Sequence, residues 1–234
     1  MKLKLFVHRL SQPSRAVLIF CKLNKIEFEE VQIDLSKGEH LSPEFKEINP
    51  MHKVPAMEVD GGFKLFESHA ILRFLACASP GVADHWYPAD LFKRAEINSV
   101  LDWHHANLRH GSAGLVFHSK LAPLFGLPSD VQAAAECEKV LLASLAKIES
   151  FWLKEEEQFL LGNSKPSIAD LSLVCETMQL EALDEKVRQR LLDPHEKVRK
   201  WVDDTRNAMQ PYFGEIHGVL FQLKDKLKEM ESDE

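Results

Sequence analysis

Three short stretches carry side chains whose types and spacing allow chemistry. In LSQPSRAVLIF (10–20), Ser11 stands just outside an apolar run that Pro13 can open as a helix. A hydroxyl at that point is either a turn residue or a group turned toward a ligand. Ser14 is the rival hydroxyl, but it lies within the first helical turn and reads as structural. Glu67-Ser68 opens SHAILRFLACA (68–78), with Ser68 read as its N-cap. A helix N-terminus also binds anions, because its free N–H groups and dipole favour negative charge. Ser68 and its amide therefore suit a carboxylate, and Glu67 suits a neighbouring ammonium. A ligand carrying both groups on one carbon is an α-amino acid terminus. Val54-Pro55 enters a strand. The ordinary reading is a trans proline on an edge strand. Only about 5–6% of X-Pro bonds are cis, and a cis bond here would turn the Val54 N–H and C=O outward, free to pair with an extended peptide.

Other candidates carry less. His104-His105 and His110 invite a metal reading. Adjacent helical histidines point to different faces, however, and no HExxH occurs, so no metal is expected. Ser167 and Asp170 in PSIAD form a capping box, which is folding information. Cys21, Cys77, Cys137 and Cys175 form no Cys-x-x-Cys pair, which writes neither a dithiol redox motif nor a zinc site. Unpaired cysteines with apolar neighbours suit a reducing compartment. The net charge of -7 argues against bulk attraction to nucleic acid or anionic lipid. No run approaches the ~18 apolar residues of a membrane span. MKLKLFVHRL lacks a signal-peptide core and MESDE is no retention or peroxisomal address, so the cytoplasm is the expected location.

The elements that must position these residues fall into two rhythms. KLKLFV (2–7) alternates as a strand, and 13–24 reads as a helix. EFEEVQID (27–34) alternates again, and a short helix follows Pro43. VPAMEV (54–59) and GFKLF (62–66) flank Asp60-Gly61-Gly62, a hairpin signal. With the helix at 68–78 the order is β-α-β-α-β-β-α. Thioredoxin-like folds hold a cis proline where the third strand of such a unit begins, which is the place of Pro55. SPGVADHWYPAD (79–90) is a linker. Beyond it, 91–108, 130–154, 167–183, 196–209 and 213–230 read as helices by 3.6-residue periodicity. The fold class is thus α/β plus all-α: a thioredoxin-like domain over 1–80 and an all-helical domain over 89–234.

SQPSRA, NPMHKVP (49–55), FESHAIL (66–72) and SIADL (167–171) together resemble a cytosolic glutathione S-transferase. The serine in SQPSRA and the stretch DHWYP (84–88) are most similar to the theta class, of plant type. The resemblance spans essentially the whole chain, with its motifs in order in both halves.

This resemblance implies a homodimer that binds the tripeptide glutathione as co-substrate, with no cofactor. Glu67 and Ser68 would hold the γ-glutamyl end, and Val54, with Pro55 cis, would pair with the cysteinyl moiety. Lys53 and His40 would hold the glycine carboxylate, Gln12 would line the peptide site, and Arg109 would face it. Ser11 would donate to the glutathione sulfur. A free thiol has a pKa of ~8.5, so one hydrogen bond at a helix N-terminus shifts it toward the thiolate. That thiolate would attack small hydrophobic electrophiles or organic hydroperoxides. A cysteine at position 11 would form a mixed disulfide, which Ser11 cannot. Two departures from relatives stand out: His52 replaces a common glycine, and Ala106 replaces an acidic residue found in some. Met178, Phe117 and Phe221 are candidate liners of the electrophile pocket. The apolar stripe Phe213, Ile216, Leu220, Leu223, Leu227 and Met230 reads as a lid helix over the site, or as one packed outside the helical domain. The alternative function from another class is a non-catalytic carrier of apolar ligands that kept the fold.

Overall fold

The computed structural model describes residues 2–154 and 157–232. Strands β1 (Leu3–Val7), β2 (Glu29–Gln32), β3 (Ala56–Val59) and β4 (Phe63–Phe66) form one sheet in the order β2-β1-β3-β4. β1 runs parallel to β2, and the β1–β3 and β3–β4 pairs are antiparallel. Helices α1 (Gln12–Leu23), α2 (Pro43–Lys46) and α3 (Ser68–Ala78) complete the βαβαββα thioredoxin-like unit. Period-2 alternation divides the sheet's side chains. Leu3, Leu5, Val7 and Met57 join Val17, Phe20, Ile71, Leu72 and Leu75 in the main core. Phe6 and Ala56 turn to the other face, with Ile33 and the α2 residue Phe45.

This topology sets where chemistry can occur. β1 and β4 are each antiparallel to β3, so both end at the same edge of the sheet. The strand that feeds α1 and the strand that feeds α3 therefore deliver two helix N-termini to one edge. β3 runs the other way and begins there, which brings Val54-Pro55 to the same place.

The remaining helices are α4 (Leu91–His104), α5 (His110–Val116), α6 (Val131–Lys147), α7 (Ile168–Thr177), α8 (Glu185–Leu192), α9 (Glu196–Ala208) and α10 (Tyr212–Ser232). A π-helical turn, His105–Arg109, joins α4 to α5. Several sequence expectations shift. The expected helix over 130–154 ends as α6 at Lys147 and passes into a π-helical turn, Ile148–Trp152. The one over 167–183 becomes α7 plus a 3-10 turn, Met178–Ala182. The sequence reading passes over α5 and α8; α5 is seven residues long with two glycines, and α8 is eight residues long and half charged. Those glycines have a packing role. A Cβ on Gly111 would lie 2.5 Å from the Leu141 backbone nitrogen, and one on Gly114 would lie 2.5 Å from Cys137 Sγ. Only glycine lets α5 approach α6 this closely.

The expected stripe of α10 is buried along most of its length. Phe213, Ile216, Leu220 and Leu227 belong to the main core, and the helix packs against α1 and the 178–182 turn. Leu223 is half-buried and Met230 exposed.

Asp170 is the polar centre of the helical half. Its carboxylate accepts from the backbone of Leu160 (2.8 Å) and Ser167 (2.7 Å), from Ser167 Oγ (2.8 Å) and from Trp201 Nε1 (2.9 Å). The expected capping box is present, and it extends to α9 through Trp201. Asp170→Ala leaves several buried donors unpaired, so a loss of about 3 kcal/mol is expected. Urea unfolding should show it as a lower midpoint with an unchanged slope.

His217 on α10 is fully buried and stacked on Phe213, with ring centroids 4.0 Å apart. Burial, then the Arg15 charge, holds its pKa well below the ordinary value. The unfolded chain thus takes up a proton near pH 6.5 that the folded chain refuses. Stability from this group is present above that pH and lost as pH falls, by up to about 1.4 kcal/mol per unit. Urea midpoints measured from pH 7 to pH 5 should fall, and the fall should be shallower in His217→Leu.

Candidate functional site

The loop between β1 and α1 is held from three sides. Arg9 donates to both Glu30 oxygens, at 2.8 and 2.7 Å, which ties the loop to β2. Arg15, fully buried, reaches back from α1 to the carbonyls of Arg9 (3.1 Å) and Leu10 (2.9 Å). Its second nitrogen donates to Cys175 O (3.2 Å) and Gln179 Oε1 (3.1 Å), on α7 and the turn after it. Burial lowers the Arg15 pKa to about 10, so it remains a cation at neutral pH. Ser14 is buried and accepts from the His8 amide at 3.4 Å, the structural role expected of it.

Ser11 is the N-cap of α1 by backbone: its N–H donates to His8 O (2.8 Å) and its C=O accepts from Arg15 N (3.0 Å). Its side chain makes no capping bond. The hydroxyl instead lines a cleft of about 660 Å³ shared by the two halves of the chain. Gln12, His40, Lys53, Val54 and Arg109 line the same cleft, as do His8 and His52. Its far wall is apolar, from Leu10, Leu35, Phe117, Leu121, Leu124 and Leu223. Of the three expected liners only Phe117 is there. Met178 is buried and Phe221 packs on the main core.

The Val54-Pro55 bond is cis. Neither the N–H nor the C=O of Val54 is hydrogen-bonded among the described residues. Lys53 is exposed, and its carbonyl accepts from the buried Asn49 side chain at 2.7 Å. His52 takes φ 55, the left-handed conformation that glycine adopts without strain. Its Nδ1 lies 2.9 Å from His40 O, which braces the two loop segments together. The glycine replacement therefore preserves the backbone shape. Burial, then the Lys53 charge, lowers the His40 pKa, so this ring is neutral at pH 7.

Glu67 and Ser68 do not line the cleft as drawn by these residues. They sit beside it: β3 pairs Ala56 with Phe66, and continuing that register outward sets Val54-Pro55 next to Glu67-Ser68. One expectation changes here. Ser68 is the first residue of α3, and the N-cap is Glu67, at φ 68 and without a side-chain cap bond. Ser68 is buried, whereas Glu67 is exposed.

Arg109 projects into the cleft from the π-helical turn and donates to Glu176 Oε2 at 2.9 Å. Glu176 is buried on α7, where it also accepts from Ser112 Oγ at 3.1 Å, and His104 Nε2 lies 3.4 Å away. Burial opposes its charge, but Arg109 and His104 outweigh burial and hold its pKa below the ordinary value. Sequence reading missed Arg15 and Glu176. The only signal for either is a charge inside an otherwise apolar helical run. Asp102, one turn before Ala106, is engaged with Arg73 at 3.0 Å, and Ala106 is exposed.

The histidines depart from expectation. His104 is buried and His105 exposed, yet both rings pack on His69 of α3, with centroid distances of 5.1 and 4.6 Å. One ring nitrogen from each of the three lies within 4.8 Å of the others.

Residues 1–77 match the family model of the glutathione S-transferase N-terminal domain. Glutathione S-transferase T1 of Arabidopsis thaliana is 60% identical over 225 residues, covering 96% of this chain and 91% of the relative. Glutathione S-transferase T2 of the same plant is 61% identical over 97% of this chain, which spans only 38% of that longer relative. Among solved structures, human glutathione transferase theta-2 in complex with glutathione aligns with a TM-score of 0.87 at 32% identity, over 97% of this chain and 91% of that one. Apo human glutathione S-transferase T1-1 aligns at 0.84 and 37% identity, covering 95% and 91%. Relatives of this kind are matched over both halves of this chain: the chain belongs to the theta class of the glutathione S-transferases.

Proposed function

We propose that the cleft binds glutathione and that Ser11 activates it as a thiolate. The observation that carries this reading is Ser11, which lines the cleft at the N-terminus of α1 with its side chain spared from capping. A donor there stabilises a sulfur anion electrostatically. Serine is no base at neutral pH, and the thiol proton leaves to solvent. The γ-glutamyl carboxylate meets Ser68 at the N-terminus of α3, and its ammonium meets Glu67. The unpaired Val54 backbone receives the cysteinyl amide as a further strand would. Lys53 and His40, with Gln12 nearby, take the glycine end, Lys53 supplying the charge. The solved complex of human theta-2 with glutathione supports the ligand class.

The apolar wall from Leu10 to Leu223 suits a small hydrophobic electrophile beside the sulfur. The thiolate attacks an electrophilic carbon, the carbon–sulfur bond forms and the leaving group departs with the bonding pair. With an organic hydroperoxide it attacks the terminal oxygen, releasing the alcohol after protonation. The resulting sulfenic acid then reacts with a second glutathione to give the disulfide and water. Arg109, paired with Glu176, stands where negative charge on a leaving group would develop. The reading includes a homodimer in the cytoplasm; Leu91 and Phe92, 74% and 85% exposed, offer apolar surface for a partner copy. The lid of this reading is α10 at Leu223, where the helix meets the cleft, with Leu227 beyond it packed in the core.

Ser11→Ala should lower turnover about 10²–10³-fold while glutathione affinity stays within a few-fold. Ser68→Ala should do the reverse and weaken glutathione by roughly 10- to 100-fold. Steady-state kinetics with an aryl halide and an organic hydroperoxide, beside calorimetry with glutathione, separate the two. Binding without turnover in the wild type would instead mark a carrier. Leu223→Ala should raise the Michaelis constant for the apolar electrophile by about 10-fold and leave that for glutathione unchanged.

A further inference from the structure

His69, His104 and His105 lie outside the chemistry described above. His69 stands on α3, one residue beyond Ser68; His104 closes α4 and His105 opens the π-helical turn. They come from separate halves of the chain and meet with one ring nitrogen each inside a 4.8 Å sphere of separation. His69 and His104 are each 4% exposed. His69 Nδ1 and His104 Nδ1 are buried without a hydrogen bond among the described residues, while His104 Nε2 faces Glu176 Oε2 at 3.4 Å. A buried unpaired polar atom costs about 1–3 kcal/mol, and native folds keep few of them without a reason. Three imidazoles with converging nitrogens are a poor way to fill a core and a good way to hold a metal.

We infer that His69, His104 and His105 form a three-histidine site for a zinc-class divalent ion, stapling α3 to the end of α4. Tetrahedral zinc with Zn–N of about 2.0–2.1 Å places ligand nitrogens about 3.3 Å apart. The rings therefore close by roughly an ångström on binding, which the exposed His105 can supply by rotation. Imidazole is a fitting ligand for this class of ion. The surroundings match a metal centre as well. Glu176 Oε2, 3.4 Å from His104 Nε2, is the outer carboxylate that commonly orients a ligating histidine through its second nitrogen. The two nearby guanidinium groups are each neutralised, Arg109 by Glu176 (2.9 Å) and Arg73 by Asp102 (3.0 Å). The fourth position opens toward solvent on the His105 side. None of the three histidines lines the cleft, although His69 directly follows Ser68 and His105 lies near Glu67.

The test uses tag-free full-length protein carrying Cys77→Ser, which removes the one exposed thiol as a competing ligand. Titration with Co²⁺ alone should give the intense visible bands of a four-coordinate ion, at one equivalent per chain, bleached by Zn²⁺. Zn²⁺ should raise the thermal midpoint, because it binds the folded state. His105→Ala, at an exposed position that does not threaten folding, should weaken Co²⁺ at least about tenfold and abolish the Zn²⁺ rise. His110→Ala and His195→Ala should change neither. A weak six-coordinate cobalt spectrum in the parent, or wild-type affinity in His105→Ala, would overturn the site.

Discussion

The buried cation of Arg15 is the constraint on which the site depends. A guanidinium with no exposed surface is tolerated only when most of its donors are met. Here four acceptors meet its two terminal nitrogens, namely two carbonyls of the loop before Ser11, one carbonyl of α7 and the Gln179 side chain, while Nε is buried without a partner among the described residues. The same side chain therefore shapes the Ser11 loop and docks the sheet unit onto the helical half. Shifting either half would strand a charge in a low-dielectric interior. The hydroxyl's position is thus over-determined by a residue that never touches a ligand.

Around that anchor the fold concentrates positive potential without a net positive chain. The two helix N-termini at Ser11 and Ser68 come to one sheet edge because β1 and β4 run the same way. Lys53 adds a full charge to the cleft side, where the Arg109 charge is balanced by Glu176. Glu176 keeps Arg109 aimed, and remains ionised despite burial because Arg109 and His104 face it. A tripeptide with a carboxylate at each end and a thiol between them suits this distribution. In the proposed complex the apolar part of the lining would keep water from the sulfur, which strengthens electrostatic interactions inside.

The helical half is organised by close approach and by one carboxylate. Gly111 and Gly114 let α5 lie against α6 at backbone contact, which carries the π-helical turn bearing Arg109 and the histidine pair. Asp170 joins the start of α7 to Leu160 and to α9. Both features are invisible as function, yet they decide where α7 presents Glu176, Cys175 O and the following Gln179.

Periodicity and punctuation in the sequence determined the βαβαββα order, the hairpin at Asp60-Gly61-Gly62, the linker at 79–90 and the helical second half. These are local: side-chain alternation, glycine turns and proline starts act over a few residues. The motifs also singled out Ser11, Val54-Pro55 and Glu67-Ser68, because each lies at an element boundary with a readable backbone role, whereas Lys53 and Arg109 followed only from the family resemblance. Tertiary structure decided what depends on partners far along the chain. Arg15 meets residues 160 and 164 positions away, Glu176 pairs with Arg109 across 67, and His69 meets His104 from another helix. It placed Met178 in the core rather than the cleft and buried the α10 stripe as far as Leu227, since which face of a helix is covered depends on its neighbour. It also moved the α3 cap from Ser68 to Glu67, where the end of β4 requires a positive φ.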